Sequence, residues 1–242
     1  IGKEKHVHEY VSALCDEIEA TKPLFAKYRS FYVGGGTPIS LPIAELERIL
    51  NAIGNPNVEY TVEAGRPDCI TDEVLALLKE KGVTRICVNP QTFNDKTLVA
   101  IGRKHTAKDI IDKFALARKY GFDINMDLIA GLTGETFEDF RYSMDTALEL
   151  APENLTVHTL SLKKGSVLKE KCGRLPAGEI KKMIDYSAYK SINAGFSPYY
   201  MYRQKYMAGN LENTGYTKPG HACVYNIDVM EEIADNPACG AN

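Results

Sequence analysis

Along the chain, short runs rich in β-branched and aromatic residues alternate with longer stretches whose apolar positions recur every three or four residues. SFYVGG (Ser30 to Gly35), EYTVEA (Glu59 to Ala64), RICVNP (Arg85 to Pro90), DINMDLIAG (Asp123 to Gly131) and NLTVHTLSL (Asn154 to Leu162) read as strands. Between them, PIAELERILNAI sets Ile43, Leu46, Ile49, Leu50 and Ile53 on one helical face. In TDEVLALLKEKG, Thr71 is an N-cap, acids fill the first turn and Gly82 closes the helix; Thr106 to Gly121 repeats that punctuation. KHVHEYVSALCDEIEATK, GETFEDFRYSMDTALEL and PAGEIKKMIDYSAYKSINAG are helical in pattern as well. Strict alternation predicts successive βαβ units and a parallel sheet. The opening helix has no strand before it, so one strand is expected upstream of Ile1. Six strands suit a partial barrel, five a doubly wound open sheet, and periodicity alone does not choose.

In both architectures functional groups gather at the carboxyl ends of strands. There the chain places Gly34-Gly35-Gly36-Thr37-Pro38, then Glu63, Asn89-Pro90-Gln91, Asp127, and His158 with Thr159. Polar side chains in apolar strands cost a few kcal/mol unless paired, so several at equivalent positions point to one shared site. The triple glycine fits neither GxxxxGK[ST] nor GxGxxG spacing; it serves a tight turn or a close approach to the backbone. Taken singly, Glu63 and Asp127 read as helix-capping or lysine-paired acids, Gln91 as a loop hydrogen bonder and Arg103 as a surface residue. Lys163 is a Schiff-base candidate, although a solvated Lys163-Lys164 pair is the plainer reading. His6 and His8 point to different helix faces, and His221 lies in a loop without nearby partners. The sequon Asn154-Leu155-Thr156 falls inside a strand.

Composition narrows the class. The 242 residues are 44% hydrophobic and 25% charged, ordinary for a globular protein. A net charge of −3 without clustered Lys and Arg argues against nucleic acid as partner. No apolar run approaches the ~20 residues of a membrane span, and no leader opens the chain, so cytoplasm is the expected location. The six cysteines are scattered with no CxxC, CxxxC or CxxCH, which suits free thiols in a reducing compartment and leaves no local metal motif. A start at Ile1 and an end at PACGAN read as a fragment.

GGGTPISL, VEAGRPDCIT, GVTRICVNPQTFNDKTLVAIGRKHT and DLIAGLTGET, in that order, resemble successive blocks of the oxygen-independent coproporphyrinogen III oxidase family of radical S-adenosylmethionine (SAM) enzymes. NPQTF and YYMYRQKYMAGNLENTGYTKPG resemble its coproporphyrinogen dehydrogenase branch. The resemblance implies an α/β fold, a partial (β/α)6 TIM-like barrel of the radical SAM type over residues 1–196, with 197–242 opening the family's C-terminal region. It implies SAM as cofactor, with Gly35, Gly36 and Thr37 at its methionine end, Glu63 accepting from an amine or hydroxyl, and Asp127 holding a ribose. Gln91 and Arg103 would serve the same pocket, and Thr159, where the family usually has alanine, would contribute backbone. It implies, too, a porphyrinogen substrate decarboxylated to vinyl groups and an electron donor such as flavodoxin or ferredoxin. A paralogous branch acts as a haem chaperone. The family's CxxxCxxC loop for a 4Fe–4S cluster is absent; its place in the family lies just upstream of a segment like IGKEKHVHEYVSALCDEIEA, so this chain is expected to be inactive alone. Arg203 and Lys205 are candidates for substrate carboxylates by charge.

Overall fold

The computed structural model describes residues 6–25, 27–161, 175–203 and 211–241. Helix α1 (Val7–Thr21) precedes strand β1 (Ser30–Val33). There follow α2 (Ile43–Ile53), β2 (Glu59–Gly65), α3 (Asp72–Glu80), β3 (Arg85–Val88), α4 (Asp95–Ala100), α5 (Ala107–Arg118), β4 (Asp123–Ala130), α6 (Phe137–Glu149) and β5 (Asn154–Thr159). Helix α7 (Ala177–Asn193), β6 (Ser197–Tyr202), β7 (Asn213–Thr217) and α8 (Val224–Glu231) complete the described fold. The punctuation read from sequence operates locally. Thr71 Oγ1 accepts from Val74 N at 3.2 Å, and Thr106 with Asp109 forms a reciprocal capping box. Gly82 and Gly121 end their helices at φ +81° and +68°.

Strands β1 to β5 pair in parallel, in chain order. A wholly parallel sheet is nevertheless not what forms. Strand β7 pairs antiparallel with β5, and β6 antiparallel with β7, giving the order β1-β2-β3-β4-β5-β7-β6. Residues 203–212 between β6 and β7 are too few for the crossover that a parallel pair requires, so the second strand must run back.

The core lies between the sheet and its helices. On β4, Ile124, Met126, Leu128 and Ala130 are buried on that side, joined by Leu46, Leu50, Leu75, Leu78 and Ile110 from α2, α3 and α5. The alternate residues Asp123, Asn125 and Asp127 take the other, concave face. The sheet curls far enough that one helix touches both ends. Tyr225 of α8 stacks on Tyr32 of β1 (centroids 4.1 Å, 18° between planes), while Asn226 Nδ2 donates to Tyr199 Oη of β6 at 3.0 Å. The fold is therefore a partial α/β barrel whose open side is spanned by α8.

Candidate functional site

Inward-facing residues of the strands enclose a cavity of about 230 Å³ on the concave face. Glu63 of β2, Asn89 after β3, Asp127 of β4 and His158 of β5 line it near the carboxyl ends, with Tyr32 and Tyr202 beside them. Tyr32 Oη donates to Glu63 Oε1 at 2.6 Å. Burial pushes the Glu63 carboxyl above its ordinary range; the Tyr32 hydrogen bond pulls it back, and the charge of Asp127 adds to the rise. Asp127 Oδ1 accepts from Asn125 Nδ2 at 2.8 Å, and its Oδ2 lies 3.7 Å from His158 Nε2, whose Nδ1 is 3.3 Å from Tyr202 Oη. Among the described residues neither acid caps a helix or pairs with a lysine.

Among the described residues, two buried oxygens of the cavity wall, Asn89 Oδ1 and Thr61 Oγ1, have no hydrogen-bond partner. Orphaned acceptors and hydroxyls cost free energy unless something satisfies them, so they point to a polar occupant. At the base Arg85, only 4% exposed, bonds Asn154 Oδ1 and the His221 carbonyl (2.9 Å) and faces Asp123 (3.2 Å) and Glu59 (3.5 Å). His221, expected without partners, is held on this network: its Nδ1 is 3.0 Å from Asp123 Oδ1. The partner lies 98 residues away in sequence and only the fold supplies it. Asn154 of the sequon is buried here, in β5, beside Thr217.

The glycine turn after β1 uses its three residues differently. A Cβ on Gly34 would stand 2.8 Å from Tyr32 Cε1 and 3.4 Å from Glu63 Oε1. Gly35 has φ +113°, and around both Gly35 and Gly36 nothing lies within 4 Å of an added Cβ. The turn thus needs glycine for packing at the first position and conformation at the second, while the third leaves backbone open to an approaching group. Thr37 Oγ1 donates to the Gly36 carbonyl at 2.6 Å.

The other expected residues separate. Gln91, at φ +67°, acts through its backbone: its N–H donates to the Asp127 carbonyl and its carbonyl accepts from Ile129, both at 2.9 Å, which fixes the strand carrying Asp127. Arg103 and Thr159 do not line the cavity. Burial and the nearby Arg66 lower the Arg103 guanidinium. Thr159 is buried, its N–H donating to Asn213 Oδ1 at 2.7 Å. Arg203 Nη2 donates to Glu212 Oε1 at 2.6 Å, and Lys163 and Lys205 lie outside the described residues. The cavity tyrosines were missed by sequence reasoning, because tyrosine in a strand reads as ordinary β-propensity.

A partial barrel with five parallel strands in chain order, and acids, an amide and open glycine backbone at their carboxyl ends, defines a class that binds polar cofactors there. The Radical SAM superfamily matches residues 5–147, and the chain belongs to it. It is 44% identical over 227 residues to the "Oxygen-independent coproporphyrinogen-III oxidase-like protein HemZ" of Bacillus subtilis, covering 89% of this chain and 45% of that one. It is 38% identical over 170 residues to "Heme chaperone HemW" of the same organism, covering 66% and 45%. In structure it is similar to coproporphyrinogen III oxidase (HemN) from Escherichia coli, with a TM-score of 0.75 at 23% identity over 90% of this chain and 50% of that one, a likeness of fold. The chain spans about half the length of the curated relatives it matches.

The superfamily implies SAM and a 4Fe–4S cluster. The unpaired Asn89 and Thr61 oxygens and the open backbone at Gly35 and Gly36 fit the first of these. The second finds no fit: among the described residues no group of three His, Cys, Asp or Glu is placed to hold a metal.

Proposed function

We propose that this chain is the SAM-binding barrel of a protein that oxidatively decarboxylates the propionates of coproporphyrinogen III to vinyl groups in anaerobic haem synthesis, in the cytoplasm and with an electron donor such as flavodoxin or ferredoxin. The observation that carries the reading is the convergence of Glu63, Asn89 and Asp127 on one cavity beside the glycine turn. Glu63 accepts from the cofactor's amine or a hydroxyl, and Asp127, held by Asn125 and by the Gln91 backbone, takes the ribose hydroxyls. The backbone of Gly35, Gly36 and Thr37 meets the methionine carboxylate and ammonium. Arg103 and the Thr159 backbone serve from outside the cavity wall. SAM held there would supply hydrogen-abstracting chemistry: one electron from the proposed donor would break its C–S bond, releasing methionine and leaving the adenosyl carbon able to take hydrogen from a propionate side chain.

The relative named a haem chaperone supports a second reading, a barrel retained for haem transfer without decarboxylation. Calorimetric titration of SAM into the protein, with Glu63→Gln and Asp127→Asn, tests the site. Each substitution is expected to cost about tenfold or more in affinity, as for a hydrogen bond to a charged group; unchanged affinity in both variants refutes it. Vinyl-product formation from coproporphyrinogen III by the intact protein supports the decarboxylase, and tight haem binding without turnover the chaperone.

A further inference from the structure

The Glu63 carboxylate receives one hydrogen bond among the described residues, and it comes from a side chain packed against two neighbours. Tyr32 Oη donates at 2.6 Å, the short end for a phenol. Its ring abuts Gly34, where a Cβ would be 2.8 Å away, and stacks on Tyr225 of α8 at 4.1 Å. Tyr225 is itself fastened to the strand that carries Glu63. Its N–H donates to Glu59 Oε1 at 3.1 Å and that of Val224 to Glu59 Oε2 at 2.9 Å, and Glu59 opens β2. Arg85 faces the same carboxylate from β3. The first turn of α8 is thus bolted to one end of β2 while its ring steadies the phenol that aims the carboxylate near the other.

We infer that Tyr32 is a positioning residue for Glu63 and that α8, through Tyr225, holds it in place, so that the C-terminal helix sets the cofactor affinity of the barrel. This rests on the reading of Glu63 as a ligand to the cofactor. The remaining groups facing Glu63 are Cys87 from β3 and Asp127 from β4, the latter beside His158. None of them donates to it. Loss of the Tyr32 hydroxyl therefore leaves an unaimed carboxylate next to a like charge, and its protonation becomes easier. Cofactor affinity that needs the ionised form exists above the carboxyl's pKa and disappears as pH falls through it; without the donor that disappearance starts at higher pH.

The experiment is calorimetric titration of SAM at a series of pH values into the wild type, Tyr32→Phe, Tyr225→Leu, Glu63→Gln and the Tyr32→Phe/Glu63→Gln double variant. Tyr32→Phe keeps the ring and its stack, and is expected to weaken binding about tenfold at neutral pH and to move the acid limb upward. Tyr225→Leu moves both in the same direction by less. In the Glu63→Gln background, Tyr32→Phe has no further effect. An unmoved acid limb and affinity in Tyr32→Phe, with only the melting temperature lowered, overturns the inference, as does a full additional loss in the double variant. If Glu63→Gln alone leaves affinity intact, the ligand reading falls first and the inference with it.

Discussion

Replacing Glu135 by glutamine should make this protein more stable in mild alkali and less stable in acid. Glu135 is 2% exposed; its Oε1 accepts from Thr92 Oγ1 at 2.5 Å, while among the described residues Oε2 has no well-formed hydrogen bond and Thr97 is the other hydroxyl serving the carboxyl. Thr92 Oγ1 also lies 3.1 Å from Ser143 Oγ, whose oxygen accepts from Phe93 N, so the carboxyl ties the turn after Gln91 to α6. Burial pushes the carboxyl up and the charge of Asp139 adds to the rise, against hydrogen bonds from Thr92 and Thr97. A carboxyl whose folded pKa is raised contributes stability that is fully present below its unfolded value and lost as pH rises through the folded one. Above that point the wild type carries a buried ionised carboxylate with incomplete hydrogen bonding, at a cost of about 1–3 kcal/mol. Glutamine does not titrate, but its buried amide leaves a donor unpaired, at about 1 kcal/mol. The variant is therefore expected to gain about 1–2 kcal/mol over the wild type in mild alkali and to lose about 1 kcal/mol below the unfolded carboxyl pKa. For a chain of this size that is a shift of about 2–4 °C in melting temperature per kcal/mol. Urea midpoints of both proteins across the pH range read the crossing directly. Parallel curves, with the same difference at every pH, would refute the argument, since they would mean Glu135 does not change its charge on a shifted scale.

Two other outcomes are expected. Arg85→Met strands the Glu59 and Asp123 carboxylates around a buried position, at roughly 3–5 kcal/mol in a urea titration, and Arg85→Lys recovers part of that loss. Gly215→Ala drives a Cβ into the ring of Tyr200 and displaces that ring from the cavity wall, costing about 1–3 kcal/mol with a changed near-ultraviolet circular dichroism, whereas Gly178→Ala, with open space in α7, gains about 0.5–1 kcal/mol.

The first five strands and their principal helices are legible because each is written in a local code, alternation within strands and caps around helices. Helix α4 escapes that code because six residues are too few for a 3.6-residue period to show. Strands β6 and β7 escape it for another reason: Pro198 and Gly215 read as strand breakers, and the two strands are admitted by an edge and by a tyrosine covering a glycine. In the site, Glu63, Asp127 and His158 are visible as polar residues interrupting apolar strands. Tyr32, Asn125 and Arg85 are not, since their roles depend on partners across the sheet. Gln91 is legible as a strand-end residue, but what it does there is done by its peptide groups, which carry no residue signature.

The strand order also has a consequence in time. Strand β5 leaves the ribosome complete at Thr159, yet the neighbour that pairs with it, β7, ends only at Thr217. At about 5–20 residues per second, synthesis of those intervening residues takes roughly 3–12 s. Through that interval the nascent sheet offers an open β5 edge, and β6, already made, has nothing to join because it attaches only through β7. The growing chain must therefore pass its longest wait at its most adhesive moment. The buried side chains of Asn154 and Thr156 wait as well, since Thr217 and Tyr200, which they meet in the finished fold, are made only in that interval.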